Sequence, residues 1–186
     1  MLNALVTPSS RPLLLSALVS AALLAGAHLF EKVGGLDPCL LCLSQREVHW
    51  AALFVSLIAL GMTRLVLDPR LLLVGLGLLT LVYLYSTYMG AFHAGVEWDF
   101  WDGPAGCAAG GGALTTEVSA DDILGSLNGP GLDGPPCEIA AWRMLGISMA
   151  GYNALISAGM AALCGWATWR QWQRRPTSVA SEKLSV

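Results

Sequence analysis

The sequence predicts an all-α membrane protein, a four-transmembrane-helix bundle with two outer loops and both termini inside. Three observations predict it. Only 12% of the 186 residues are charged and 55% are hydrophobic, with a mean hydropathy of +0.60. An ordinary soluble domain carries roughly 25% charged residues, and a soluble globule of this length would need them to cover its surface. Four stretches approach the roughly 20 apolar residues that cross a bilayer, and the charges between them sort by sign. A formal net charge of −3 excludes a basic nucleic-acid-binding chain.

The first span, residues 12–30, is uncharged and follows Arg11. Arg11, an apolar run and Ala25-Gly26-Ala27 also have the form of a signal peptide. The run continues past that cleavage-like point to Phe30, and removal would leave an odd number of spans, so retention is expected. The second span, residues 48–64, is shorter and ends in Arg64, whose long side chain can snorkel to the headgroups. The third, residues 71–92, ends in a tyrosine cluster of Tyr83, Tyr85 and Tyr88. The fourth, residues 144–169, ends near Trp166, Trp169 and Trp172. Grouped aromatics of this kind form interfacial belts.

Orientation follows from the basic residues. With the N-terminus inside, Arg11, Arg64, Arg70, Arg170, Arg174, Arg175 and Lys183 face inward, and only Lys32, Arg46 and Arg143 lie outside. Of the acids, only Asp68 and Glu182 are inside. The two asymmetries agree on an N-in, C-in chain with outer loops at 31–47 and 93–143. Residues 1–170 then form one transmembrane domain, and the basic, Ser-rich tail 171–186 reads as disordered. No internal repeat is apparent. In the long outer loop, Ser119 followed by Asp121 and Asp122 reads either as the N-cap of a short surface helix or as plain solvated loop.

Cys39, Cys42, Cys107 and Cys137 all fall in the outer loops, on the side where disulfides persist. Four cysteines allow three connectivities. Cys164, inside the fourth span, reads as an inert apolar residue. Zinc is disfavoured, because a tetrahedral site needs four ligands and there is neither a second CxxC nor a histidine at ligand spacing. Asp37-Pro38-Cys39 reads as an N-cap followed by proline at the first helical position. Cys39 and Cys42 would then lie in the first turn of a helix, whose free N–H groups and dipole stabilise a thiolate. Arg46, one turn on from Cys42, would lower the thiol pKa further and could hold the oxygen of a lipid-soluble acceptor. Alone, it is equally an interface anchor. Glu47 is expected to balance Arg46, and His28 and His49 read as span-end residues without chemistry. Cys107 lies among glycines and Cys137 follows two prolines, so both are expected on mobile, exposed backbone.

Taken together these residues resemble the disulfide-bond-formation protein B (DsbB) family of bacterial inner-membrane quinone reductases. The resemblance rests on Cys39-Leu-Leu-Cys42 after the first span, Gln45-Arg46 behind it, and a cysteine in each half of the second outer loop. Cys137-Glu-Ile-Ala-Ala-Trp142, running into Leu145-Gly146 and Met149, extends it into the fourth span. It covers residues 12 to about 170; the glycine-rich tract around Cys107 departs from it.

The resemblance implies a thiol:quinone oxidoreductase in the bacterial inner (cytoplasmic) membrane, its outer loops in the periplasm. The partner would be a periplasmic DsbA-like thioredoxin-fold oxidase, which attacks a Cys107–Cys137 disulfide at Cys107. Cys137 would then attack Cys39, and Cys42 would leave as a thiolate beside a membrane quinone (ubiquinone or menaquinone), with no metal involved. Arg46, Trp142, Met149 and His93 are the implied quinone-binding residues. Two other readings stand beside this one. A vitamin-K-epoxide-reductase-like enzyme also passes electrons from thiols to quinone, but there the loop pair precedes the CxxC, and here CxxC comes first. A non-enzymatic membrane subunit with two structural disulfides is the other.

Overall fold

A computed structural model describes residues 10–65, 69–104, 107 and 135–174. Among them are four long helices: α1 (Arg11–Lys32), α2 (Leu40–Leu65), α3 (Pro69–Val96) and α4 (Met149–Gln173). Proline lies in the first turn of α1 and begins α3, where its missing N–H costs nothing. The only pairing of strands among the described residues is a two-residue hairpin, β1 (Arg143–Met144) against β2 (Ile147–Ser148). Its turn residues Leu145 and Gly146 both have positive φ, 52° and 81°. A tight two-residue hairpin demands that conformation, and glycine adopts it without strain.

The fourth helix therefore starts five residues later than the apolar run suggests, after the hairpin has turned the chain. Ser148 caps it, its hydroxyl accepting from the Gly151 N–H at 3.2 Å. At its other end α4 runs on to Gln173, three residues into what reads as tail. The short helix expected after Ser119 lies outside the described residues.

α1 and α3 are long and apolar enough to cross a membrane. α2 and α4 do not reach that composition: α2 contains Arg46, Glu47 and Arg64, and α4 contains Asn153, Ser157 and Arg170. One core cluster occupies the bundle centre, with Leu13, Leu76, Leu79, Tyr83 and Cys164 essentially inaccessible. Tyr83 thus leaves the interfacial belt to Tyr85 and Tyr88, which are exposed. Its hydroxyl is 2.8 Å from both Ser16 and Ser20 of α1, and Ser56 of α2 donates to Ser16 at 2.7 Å. Small hydroxyls that satisfy one another between helices are how an apolar bundle gains specific contacts. A second cluster sits at the α2 head and the α3 end and holds Cys39, Leu41, Val96, Cys107 and Cys137.

Candidate functional site

α2 begins at Leu40, so the helix starts two residues later than Asp37-Pro38 suggests. Cys39 is itself the cap. Its carbonyl accepts from Leu43 N–H at 3.0 Å and its sulfur from Cys42 N–H at 3.3 Å. The functional expectation survives the shift, because Cys42 now occupies the helical first turn and Cys39 the residue that closes it. The two sulfurs are 2.8 Å apart, with Cys39 donating to Cys42.

This arrangement divides the pair. Cys39 is held well above the ordinary thiol range, because it gives its proton to Cys42 and is buried. Cys42 is held below that range, first by the Cys39 donor and then by its backbone contact with Cys39, against desolvation and the nearby Glu97. Arg46 also lowers it, as the smallest of these influences. The guanidinium is engaged elsewhere: it pairs with Glu31 and donates to the Ala27 carbonyl at 3.2 Å, both on α1. Glu47 is exposed and makes no such pair among the described residues, and Arg46 pairs instead with a residue 15 positions earlier.

Cys107 and Cys137 form a disulfide, and both are buried, 2% and 1% exposed. This corrects the expectation of an exposed pair. Cys137 N–H donates to the Cys107 carbonyl at 3.1 Å, and the pair packs with Cys39, Leu41 and Val96. Turn-forming neighbours described the backbone there but not what the sulfurs rest against. All four outer cysteines are therefore in one place.

Beside them lies a cavity of about 310 Å³. It is lined by Cys39, Cys42, Arg46, His93, Trp142 and Met149, which joins both CxxC cysteines to all four residues the resemblance implies for the cofactor. Trp142 precedes the hairpin rather than standing on α4, and packs its ring 5.4 Å from Phe30 and 6.2 Å from Tyr152. Met149 is the first residue of α4. His93 is 3% exposed, its Nε2 3.6 Å from Cys39 Sγ and 3.7 Å from Glu97 Oε1.

Two further cavity residues escaped sequence reasoning. Glu97 is 8% exposed, burial holds its carboxyl above the ordinary range, and its Oε2 has no partner. The aromatic and acidic neighbours at 98–102 conceal it in sequence. His49, read as a span-end residue, is 4% exposed and bonded at 2.6 Å to Asn153 of α4. His49 lies on the buried face of α2 and Glu97 just past the end of α3; a polar residue at core spacing within an apolar run is the signal that could have found His49.

Cys39, Cys42 and His93 bring their ligand atoms within 4.8 Å of one another. Two sulfurs on a tetrahedral zinc stand roughly 3.8 Å apart, from a Zn–S bond of about 2.3 Å. At 2.8 Å the pair is drawn closer than shared metal ligands, towards sulfur–sulfur chemistry.

The family model for disulfide bond formation protein DsbB matches residues 9–167. The chain belongs to the DsbB family. Curated DsbB relatives agree: the chain is 30% identical over 155 residues to a disulfide bond formation protein B of Polaromonas sp. (strain JS666 / ATCC BAA-500), covering 81% of this chain and 85% of that one. A namesake from Polaromonas naphthalenivorans (strain CJ2) is 34% identical over 97 residues, covering 52% of this chain and 55% of that one. No solved structure is significantly similar to the chain. DsbB membership makes this a disulfide-bond-forming oxidoreductase, which accounts for the adjacency of two cysteine pairs.

Proposed function

We propose that the protein is a four-span, N-in/C-in inner-membrane thiol:quinone oxidoreductase that reoxidises a periplasmic DsbA-like thiol oxidase. The packing of the Cys107–Cys137 disulfide against Cys39, with Cys39 and Cys42 lining one cavity, carries this reading. A reduced partner presents a dithiol. One of its thiolates attacks Cys107, the Cys107–Cys137 bond breaks, and its electron pair leaves on Cys137. The partner's second thiolate then closes the partner's disulfide and releases Cys107. Because both sulfurs are buried, this attack requires the pair to come away from Val96 and Leu41.

Within the protein the same exchange repeats. Cys137 thiolate attacks Cys39, the Cys39–Cys42 bond breaks with its electron pair on Cys42, and Cys107 thiolate then attacks Cys137, re-forming Cys107–Cys137 and releasing Cys39 as a thiolate. Cys42 is the better leaving group by position, standing in the first turn of α2 with the Arg46 guanidinium one turn on. DsbA-type oxidases are strong oxidants at about −120 mV, so the final acceptor must lie higher still.

A bound quinone would supply that acceptor, taking two electrons and two protons. The site fits such a group: the cavity volume matches a small-ligand pocket, its walls are mainly apolar, and a few polar groups converge on it. Arg46 would hold a ring oxygen, His93, Trp142 and Met149 would stand against the ring, and the hydrophobic shell would exclude water from the exchange. Purified protein should reduce ubiquinone with electrons from a reduced DsbA-like protein, and Cys42→Ser should abolish that reduction. Retained turnover in Cys42→Ser would overturn the mechanism. A pair of purely structural disulfides would give no quinone reduction in the wild type.

A further inference from the structure

A single hydrogen-bonded chain runs from the reactive sulfurs through His93 into the centre of the bundle, by way of Gln45, Asn153 and His49, which the electron path does not use. His93 Nδ1 is 2.7 Å from Gln45 Nε2, Gln45 Oε1 is 2.6 Å from Asn153 Nδ2, and Asn153 Oδ1 is 2.6 Å from His49 Nε2. These four side chains come from three helices and are at least nine-tenths buried. Ser157 adds a donor to Asn153 Oδ1 at 3.3 Å.

The chain has only one sensible polarity. Gln45 also lies 3.2 Å from the Leu41 carbonyl, which can accept but not donate. The Gln45 atom on that side must be its NH₂. The same NH₂ faces His93, so His93 Nδ1 accepts, and the Gln45 oxygen is left to receive Asn153. A neutral imidazole has one donor and one acceptor nitrogen. With Nδ1 committed as acceptor, the proton is on Nε2. That edge of the ring meets Cys39 Sγ at 3.6 Å and Glu97 Oε1 at 3.7 Å. The ionisable groups about the ring are Cys39 and Cys42 at the head of α2 and Glu97 just past the end of α3.

We propose that Gln45 and Asn153 are positioning residues that lock His93 as an Nε2–H donor to the Cys39 sulfur. His93 then does not take the Cys39 proton as a base. It stabilises negative charge on Cys39 whenever that sulfur is released from a disulfide, and steadies the sulfur for attack by Cys137. The proposal rests on the thiol-exchange half of the reading above and is independent of the acceptor.

Histidine ¹⁵N spectra of the reduced protein test it directly, since protonated and bare ring nitrogens resonate far apart. Wild-type His93 should show a bare Nδ1 and a protonated Nε2, and the reverse pattern overturns the proposal without any variant. Gln45→Met, close in shape but without the amide, should shift His93 towards the other tautomer; Asn153→Leu should do so more weakly. In a Cys42→Ser background, where Cys39 is the thiol observed, Gln45→Met should slow Cys39 alkylation at fixed pH about tenfold, the weight of one hydrogen bond to a charged group. A thermal-melt check on each variant separates this from misfolding. An unchanged tautomer and unchanged alkylation rate in folded Gln45→Met would overturn the proposal. Absence of quinone reduction by wild type would instead sink the functional reading and leave the tautomer result standing.

Discussion

At Cys42 the local chemistry makes a quantitative demand on pH. A thiol held below its ordinary range is a thiolate at a pH where a free cysteine is still protonated, so it is alkylated there. As pH falls through the lowered value, the thiolate takes up a proton and reactivity is lost. In the reduced protein Cys42 should therefore react before Cys39, with a midpoint below that of a free thiol. Cys39→Ser replaces the neighbouring thiol donor with a different one and should move the midpoint of Cys42 by more than Arg46→Gln, because Cys39 is the largest influence and Arg46 the smallest. Alkylation rate against pH, followed by mass spectrometry, measures both shifts. A larger shift for Arg46→Gln would mean that the guanidinium leaves Glu31 when the thiolate forms. The Glu31 pairing is itself a residue-scale finding: it satisfies a charge at the cavity edge that would otherwise be desolvated alone.

At the scale of elements, the close crossing of α3 and α4 is what brings Asn153 and Ser157 to His49 and Ser86. Gly90 permits it. A Cβ at that position would lie 2.8 Å from Ala154 N and 3.0 Å from the Ala150 carbonyl, both backbone atoms that cannot rotate away. Gly90→Val should force the helices apart and cost about 1–3 kcal/mol, the usual weight of overpacking. Thermal denaturation in detergent reads that loss, and the spread of α4 should also weaken the hydrogen bonds of Asn153. Gly77, with open space where its Cβ would be, is the control, and Gly77→Ala should not destabilise. Gly95 is fitted to the Trp101 ring, which a Cβ there would overlap and whose Nε1 donates to the Phe92 carbonyl. That contact folds the aromatic segment after α3 back onto its own end, next to the cysteine cluster.

At the scale of the whole molecule, the proposed orientation follows from the distribution of basic residues. Lys32 is exposed at the end of α1, and Arg170 is exposed near the end of α4. In a background with the native cysteines replaced, Lys32→Cys should react with a membrane-impermeant maleimide from outside the cell. Arg170→Cys should react only after lysis. The opposite labelling would invert the topology and place the cysteine pairs on the reducing side, where a resting disulfide does not persist.

Much of this protein was legible along the chain. Apolar runs mark the four helices, because side-chain hydropathy and helix period are local properties. The CxxC at the head of α2 is legible for the same reason, since a cap and its first turn involve only neighbours in sequence. Tertiary structure alone decided what those elements face. Arg46 meets Glu31 across 15 residues, His93 meets Gln45 across 48, and Asn153 meets Gln45 across 108. Tyr83 is central rather than interfacial, and Cys107–Cys137 is buried rather than exposed, because the rotation of each helix and the docking of the outer segments are set by packing between distant residues. The sequence by itself determined that two cysteine pairs lie together on one side of an apolar bundle. Only the fold packed the two pairs together and set Cys39 and Cys42 against one cavity, with a buried amide chain behind them, because hydrogen-bond polarity exists only once three helices have met.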